Sequence, residues 1–227
     1  MSDAPLVPEN KAALPSLRQD NGLLAWVASV DHKQIGIMYL LVILFFFLVG
    51  GLEALFMRIQ LAQPENTFLS PDIYNQIFTM HGTTMIFLFA VPTLIGFATY
   101  FVPLMIGARD MAFPRLNALS FWLLLFGGLL LYFSFLGGGG ASLGGVGGAA
   151  GGAPSAGWFS YAPLSETAFS ANKGTDYWAL GLLSVGVGTL AAAINLLVTT
   201  FALRAPGLTL RRLPLLFLIV LVNSFVF

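Results

Sequence analysis

The sequence contains no cysteine. That absence excludes disulfides, thiolate nucleophiles, iron-sulfur clusters, cysteine-bound zinc and covalently attached haem. Charge is nearly as scarce. Only 9% of the 227 residues are charged and 57% are hydrophobic, with a mean hydropathy of +0.85. So few polar residues cannot clothe a water-soluble globule of this length, and the composition is that of an integral membrane protein. The 10 Lys and Arg balance the 10 Asp and Glu, so no net field draws the chain to nucleic acid and only the placement of charges is informative. There are two histidines, His32 and His81. The segment from Met1 to Ser29 lacks the basic-then-apolar layout of a cleaved leader and reads as an N-terminal arm, residues 1-29.

Four runs are long enough to cross a hydrocarbon core, which takes roughly 20 apolar residues each. They lie at about 34-57, 76-106, 116-136 and 177-203. A fifth, 213-227, would reach only about 22 Å at 1.5 Å per residue and reads as an incomplete span. The expected architecture is therefore an all-α, polytopic transmembrane bundle over residues 30-227. Lys11, Arg18 and Lys33 precede the first span, Arg109 and Arg115 separate the second from the third, and Arg204, Arg211 and Arg212 follow the fourth. The opposite side holds only Arg58 and Lys173, beside Glu65, Asp72, Glu166 and Asp176. Cationic loops face the cytoplasm, which places the N-terminus there.

The connection 137-157, GGGGASLGGVGGAAGGAPSAG, reads as a flexible loop outside the membrane, because glycine at this density retains too much chain entropy to order itself. It has no phosphate-loop lysine. The GWFSYAPLSE that follows is different in kind, since Trp158 and Tyr161 suit the lipid interface.

The stretch with the richest chemistry is Phe78 to Trp122, where a single imidazole, His81, and an acid, Asp110, bracket one span. His32 and His81 fall at opposite ends of the membrane and cannot share a metal. His81 is followed by Gly82, which allows a flat macrocycle near the backbone, and by Thr83 and Thr84. Ionisable groups within a membrane mark function more often than not, yet a lone helical histidine also serves simple packing, and the residues alone leave both readings open. Arg58 at the outer end of the first span is either a snorkelling cation or a planar donor to a polar cofactor substituent. Asp110, in GARDMAFPR, is either a solvated acid paired with Arg109 or Arg115 or a carboxylate that collects protons at the mouth of a wet path. Asn117, Thr99, Thr189 and Asn195 can hydrogen-bond a water chain along such a path, or simply join helices.

The segments VDHKQIGIMYL, FTMHGTTMIF, VPLMIGARDMAFPRLNALSFW, GWFSYAPLSE and YWALGLLSVGVGTLAAAINLLVTTFALRAPGLTLRRLP stand in this order. Over about residues 25-215, apart from the glycine insert, the chain resembles the N-terminal part of subunit I of the haem-copper terminal oxidases of cytochrome c oxidase type. The resemblance implies that His81 is an axial ligand of the low-spin haem, with haem a expected. Arg58 resembles the donor to the haem formyl group, and Trp158 the tryptophan near the haem propionates. Asp110 resembles the acid at the mouth of the D pathway for protons, with Asn117 and Asn195 further along it. Thr99 stands where many members have a second asparagine, and Gly188 replaces one of two serines and leaves Thr189. Gln60 replaces an acid that binds calcium or sodium in some members, so no such site is expected.

The same resemblance implies a membrane complex that oxidises cytochrome c, reduces oxygen and pumps protons. Expected partners are the remaining helices of subunit I or a second chain, a copper subunit that docks cytochrome c, other oxidase subunits and lipid. A bacterial cytoplasmic membrane or an equivalent respiratory membrane is the expected location. A high-spin haem, a copper held by three histidines and a His-Tyr pair belong to the complete subunit, and their ligands are absent from this chain. With two histidines, the chain is expected to supply one haem ligand and the start of the proton path, as a fragment or as half of a split subunit. Quinol remains the alternative donor. A non-catalytic scaffold and a small haem-binding electron-transfer subunit remain the alternative functions.

Overall fold

The computed structural model describes residues 22-137, 152-170 and 172-208, so the incomplete span 213-227, most of the arm and most of the glycine insert lie outside the described residues. The described residues are helical, without a strand. A short helix, α1 (Leu23–Val27), forms inside the stretch read as the arm. The others are α2 (His32–Gln60), α3 (Pro71–Thr83), α4 (Val91–Ile106), α5 (Pro114–Gly137) and α6 (Gly174–Ala202). A π-helical stretch, Thr84–Ala90, joins α3 to α4, so that Pro71–Ile106 is one 36-residue rod. Four helical rods are long and apolar enough to cross a membrane, and their ends extend the sequence-based spans by a few residues.

The boundaries follow from capping chemistry. Asp31 caps α2, its carboxylate accepting from the Lys33 N–H at 2.8 Å. Ser70 caps α3 in the same way through the Ile73 N–H, with Pro71 in the first turn where its missing N–H costs nothing. Gly107 ends α4 at φ 72°, the left-handed geometry favoured by glycine. The wide turn has a covalent cause. Pro92 lacks the N–H that an α-helix would offer to the Leu88 carbonyl, and its ring crowds that carbonyl, so the backbone opens just before it.

Each rod buries one stripe. On α2 it reads Ile35, Tyr39, Ile43, Phe46, Gly50, Glu53, at spacings of three and four. On α6 it reads Trp178, Gly181, Val185, Gly188, Ala192, Asn195, Thr199. Leu41, Leu44, Phe45, Leu48, Leu52 and Leu55 of α2 point away, as befits a helix whose other face meets lipid or further helices. Without a hydrophobic force between helices in lipid, close backbone approach supplies the contact energy, and small residues permit it. At the α5–α6 seam a Cβ on Gly127 would lie 2.9 Å from the Gly181 carbonyl oxygen and 2.9 Å from Val185 Cγ2. The α2–α4 crossing is similar, with Gly36 against Tyr100 and Gly96 against Tyr39.

The end of the glycine insert departs from the expected loose loop. Ala153 and Ala156 are buried, the Ala153 N–H donates to Gln76 Oε1 at 3.2 Å, and the Gly157 N–H donates to Thr79 Oγ1 at 2.8 Å. Two α3 side chains thus offer acceptors that pin the backbone, and compositional entropy yields to specific bonds.

Gly127→Ala is expected to destabilise the bundle by about 1–3 kcal/mol, because the added methyl meets backbone on the facing helix. Gly51→Ala meets nothing within 4 Å and is expected to be neutral or slightly stabilising. Thermal unfolding of the assembled complex in detergent distinguishes the two.

Candidate functional site

The two histidines stand at opposite ends of α2. His32 opens it; His81 on α3 faces its later turns. The His81 Nδ1 lies 2.9 Å from the Gly50 carbonyl oxygen. A carbonyl can only accept, so Nδ1 carries a proton, and in the neutral ring Nε2 is then the nitrogen with the lone pair, the tautomer of a metal-ligating imidazole oriented by a backbone carbonyl. His81 and Gly82 are half-buried at the bundle surface. Behind them Thr83 accepts from Trp178 Nε1 at 3.0 Å and donates to the Thr79 carbonyl at 2.8 Å. These bonds fix the backbone that carries His81. Gly82 has a local use, since a Cβ there would lie 2.8 Å from Trp158 Cδ1. Trp158 is thereby seated one residue from His81, exposed on its outer face and 6.4 Å from the Phe87 ring. Arg58, exposed near the end of α2, makes no ion pair among the described residues. Nor does any group of three His, Asp or Glu there converge as a metal cluster would.

At the opposite end the partner of Asp110 is His32, neither neighbouring arginine. His32 Nδ1 lies 3.2 Å from Asp110 Oδ1, and that oxygen also accepts from the Met111 N–H at 2.7 Å. The Asp110 side chain is 39% exposed while that of His32 is 3% exposed, so the pair joins solvent to interior. Helix α6 secures the loop that carries the acid. Asn195 accepts from the Phe113 N–H at 2.9 Å and donates to the Phe113 carbonyl at 3.1 Å. Thr199 accepts from the Ala112 N–H at 2.9 Å.

Other polar residues enter the core. Thr99 and Asn117 are fully buried, and among the described residues the Thr99 hydroxyl and both amide atoms of Asn117 have no hydrogen-bond partner. Beyond them Tyr39 donates to Ser120 at 2.9 Å, and Ser120 to the Asn117 carbonyl at 2.7 Å. Thr189 stands apart, donating to the Val185 carbonyl of its own helix at 2.9 Å. The structure therefore brings Asp110 to His32 and leaves the side-chain polar atoms of Asn117 and Thr99 buried and unpartnered among the described residues, while it occupies Asn195 and Thr189 with backbone. Gln60 is occupied too: its Nε2 donates to the Asn66 carbonyl at 2.5 Å and its Oε1 accepts from the Leu69 N–H at 2.7 Å, so its amide braces the loop 61-70.

Residues 34–227 match the family model for cytochrome c and quinol oxidase polypeptide I. The chain belongs to that family. It corresponds to the N-terminal portion of subunit I. It is 53% identical over 201 residues to cytochrome c oxidase subunit 1 of Bacillus subtilis (strain 168), covering 87% of this chain and 30% of that protein. Against the subunit of the same name from Bacillus sp. (strain PS3) it is 52% identical over 197 residues, 86% of this chain and 30% of that one. A putative cytochrome c oxidase subunit 1-beta of Streptomyces coelicolor is 47% identical over 193 residues, 85% of this chain and 32% of that one. The chain thus spans about a third of the length of these curated relatives. By name these relatives are subunits of an oxidase, and the four apolar rods accord with a membrane-embedded subunit of that family.

Sequence reasoning missed three residues in this region. His32 was visible only as a histidine at a helix start, and its pairing depends on a loop 78 residues away. Glu53 was legible as the sole acid within an apolar run, and Tyr132, its donor at 3.1 Å, gave no signal.

Asn195→Ala removes both side-chain bonds to the Phe113 backbone, at an expected cost of about 1 kcal/mol for part-buried bonds. Faster hydrogen exchange in residues 110-113 of the assembled complex is the accompanying sign, and unchanged exchange there would refute the bracing role.

Proposed function

We propose that this chain supplies one axial ligand of the low-spin haem and the proton-uptake mouth of the catalytic subunit of a respiratory terminal oxidase. The observation that supports this most directly is the bond from His81 Nδ1–H to the Gly50 carbonyl, which leaves Nε2 free to ligate iron in a chain of this family. Such a haem, when bound, supplies one-electron transfer toward oxygen reduction. The residues present fit it. Gly50 orients the imidazole, Thr83 and Trp178 stiffen the backbone behind it, and Trp158 and Arg58 lie exposed toward the same end of the bundle, suited to propionate and formyl groups. The second axial ligand, the high-spin haem and the copper belong to other helices of the subunit. Cytochrome c is the donor in this reading, in keeping with the names of the relatives, delivered through a copper subunit of the complex.

The end bearing His32, Arg109, Asp110, Arg115 and Arg204 faces the cytoplasm of a bacterial or equivalent respiratory membrane, by the bias of its cations. There the Asp110 carboxylate takes a proton from water, and His32 holds one of its oxygens so that the other stays accessible. Buried polar atoms without protein partners are met by ordered water, and those of Asn117 and Thr99 mark where a water chain continues inward. Asn195 and Thr199 keep the mouth in place.

His81→Ala in the assembled oxidase is expected to abolish the low-spin haem absorption selectively; a retained α band would sink the ligand assignment and leave a scaffold. Asp110→Asn is expected to keep that band and slow proton uptake roughly tenfold or more, the scale of a lost acid–base group. Unchanged turnover and pumping would refute the role of Asp110.

A further inference from the structure

Glu53 sits where the buried stripe of α2 calls for an apolar side chain, one turn beyond Gly50. Its neighbours are specific. Thr84, three residues after His81, lies 2.6 Å from the Tyr132 hydroxyl, and Tyr132 donates to Glu53 Oε1 at 3.1 Å. Because Tyr132 spends its proton on Glu53, the Thr84 hydroxyl is the donor to Tyr132, and the three groups form a chain of one polarity, Thr84 to Tyr132 to Glu53. Phe46 stacks on the Tyr132 ring at 5.9 Å and closes the apolar wall beside it. The second oxygen, Oε2, is buried and has no hydrogen-bond partner among the described residues.

Of the titratable groups on the packed elements, Tyr132 on α5 is the one bonded to Glu53; the others are Asp72, Tyr74 and His81 on α3, Tyr100 on α4, Arg115 on α5, and His32, Lys33, Tyr39 and Arg58 on α2 itself. Arg58 is exposed, and among the described residues no cation lies within ion-pairing distance of Glu53. An ionised carboxylate here would have one hydroxyl donor on one oxygen, none on the other, and no counter-ion. A neutral acid meets the site better, with Oε1 as the carbonyl oxygen that accepts from Tyr132 and the proton on Oε2. Intramembrane acids mark proton-handling sites by default. None of these residues belongs to the path that starts at Asp110, for they lie toward the Arg58 end of the bundle.

We propose that Glu53 is a proton-holding carboxyl in the membrane interior, anchored by Tyr132 and Thr84, whose hydrogen bonding responds to the charge state of the site beside His81. It rests on the haem reading of His81 given above. Two one-turn links join the sites, Gly50 to Glu53 along α2 and His81 to Thr84 along the rod. When one electron arrives from the protein donor, the gained negative charge is answered at this acid by a stronger hold on the proton already carried on Oε2. No covalent bond forms or breaks.

The test is the infrared difference spectrum, reduced minus oxidised, of the assembled oxidase in H2O and D2O. Wild type is expected to show a protonated-carboxyl C=O band that moves in D2O and is lost in Glu53→Gln, a variant that keeps an acceptor for Tyr132. Identical carboxyl bands in wild type and Glu53→Gln overturn the proposal. If that variant assembles poorly, Tyr132→Phe decides: losing its donor should move the band to higher frequency, and an unmoved band overturns the assignment. The visible α band of the same samples keeps the two readings apart. A normal α band without a Glu53-dependent carboxyl band overturns the proton site alone. An α band that survives His81→Ala overturns haem ligation, while a Glu53-dependent band in the absolute spectrum still supports the neutral acid.

Discussion

Hydrocarbon offers no hydrogen bonds, and that constraint governs which polar groups this bundle tolerates and where. Each buried polar side chain of the rods must find a partner inside the protein or bring water with it. Thr79, Thr83 and Trp178 satisfy one another around the insert and the His81 helix. Asn195 and Thr199 are consumed by the loop before α5. What remains after this internal pairing is small among the described residues: the amide of Asn117, the hydroxyls of Thr99, Ser134 and Thr175, the free nitrogen of His32 and one oxygen of Glu53. The proposed water chain and the proposed proton-holding acid draw on Asn117, Thr99 and Glu53 among them.

The fold was largely legible because spans follow from hydropathy, and four apolar runs became four rods with ends shifted by a few residues. The π turn was less so. Residues 76-106 read as one uninterrupted span, and the wide turn just before Pro92 emerges only in the structure. The end of the glycine insert escaped composition altogether, since what orders Ala153 and Gly157 is a pair of acceptors on α3.

For the candidate residues, sequence offered chemical types but assigned partners only by proximity in the chain. Asp110 was weighed against Arg109 and Arg115, and its partner is His32, brought near by the return of the rod to the level of the α2 start. Asn195 and Thr189 looked alike as polar positions in one span. One braces a loop and the other closes on its own helix, a difference set by which face of α6 meets α5. Glu53 was visible as an anomaly, and its meaning required Tyr132 and Thr84 on two other elements.

The wide turn at Thr84–Ala90 also alters how the longest rod should be compared among sequences. An α-helix advances about 100° per residue, and a π-helical stretch winds more slowly. Faces drawn on a helical wheel from His81 therefore fall out of phase before they reach Thr99. A one-residue deletion between them would restore ordinary winding and leave the half that carries Thr99 facing much as it does now, because the wide turn absorbs about one residue's worth of rotation. A gap in this interval is thus compatible with an unchanged relation between the ligand end and the proton end of the rod, whereas the same gap in an all-α stretch would rotate one against the other.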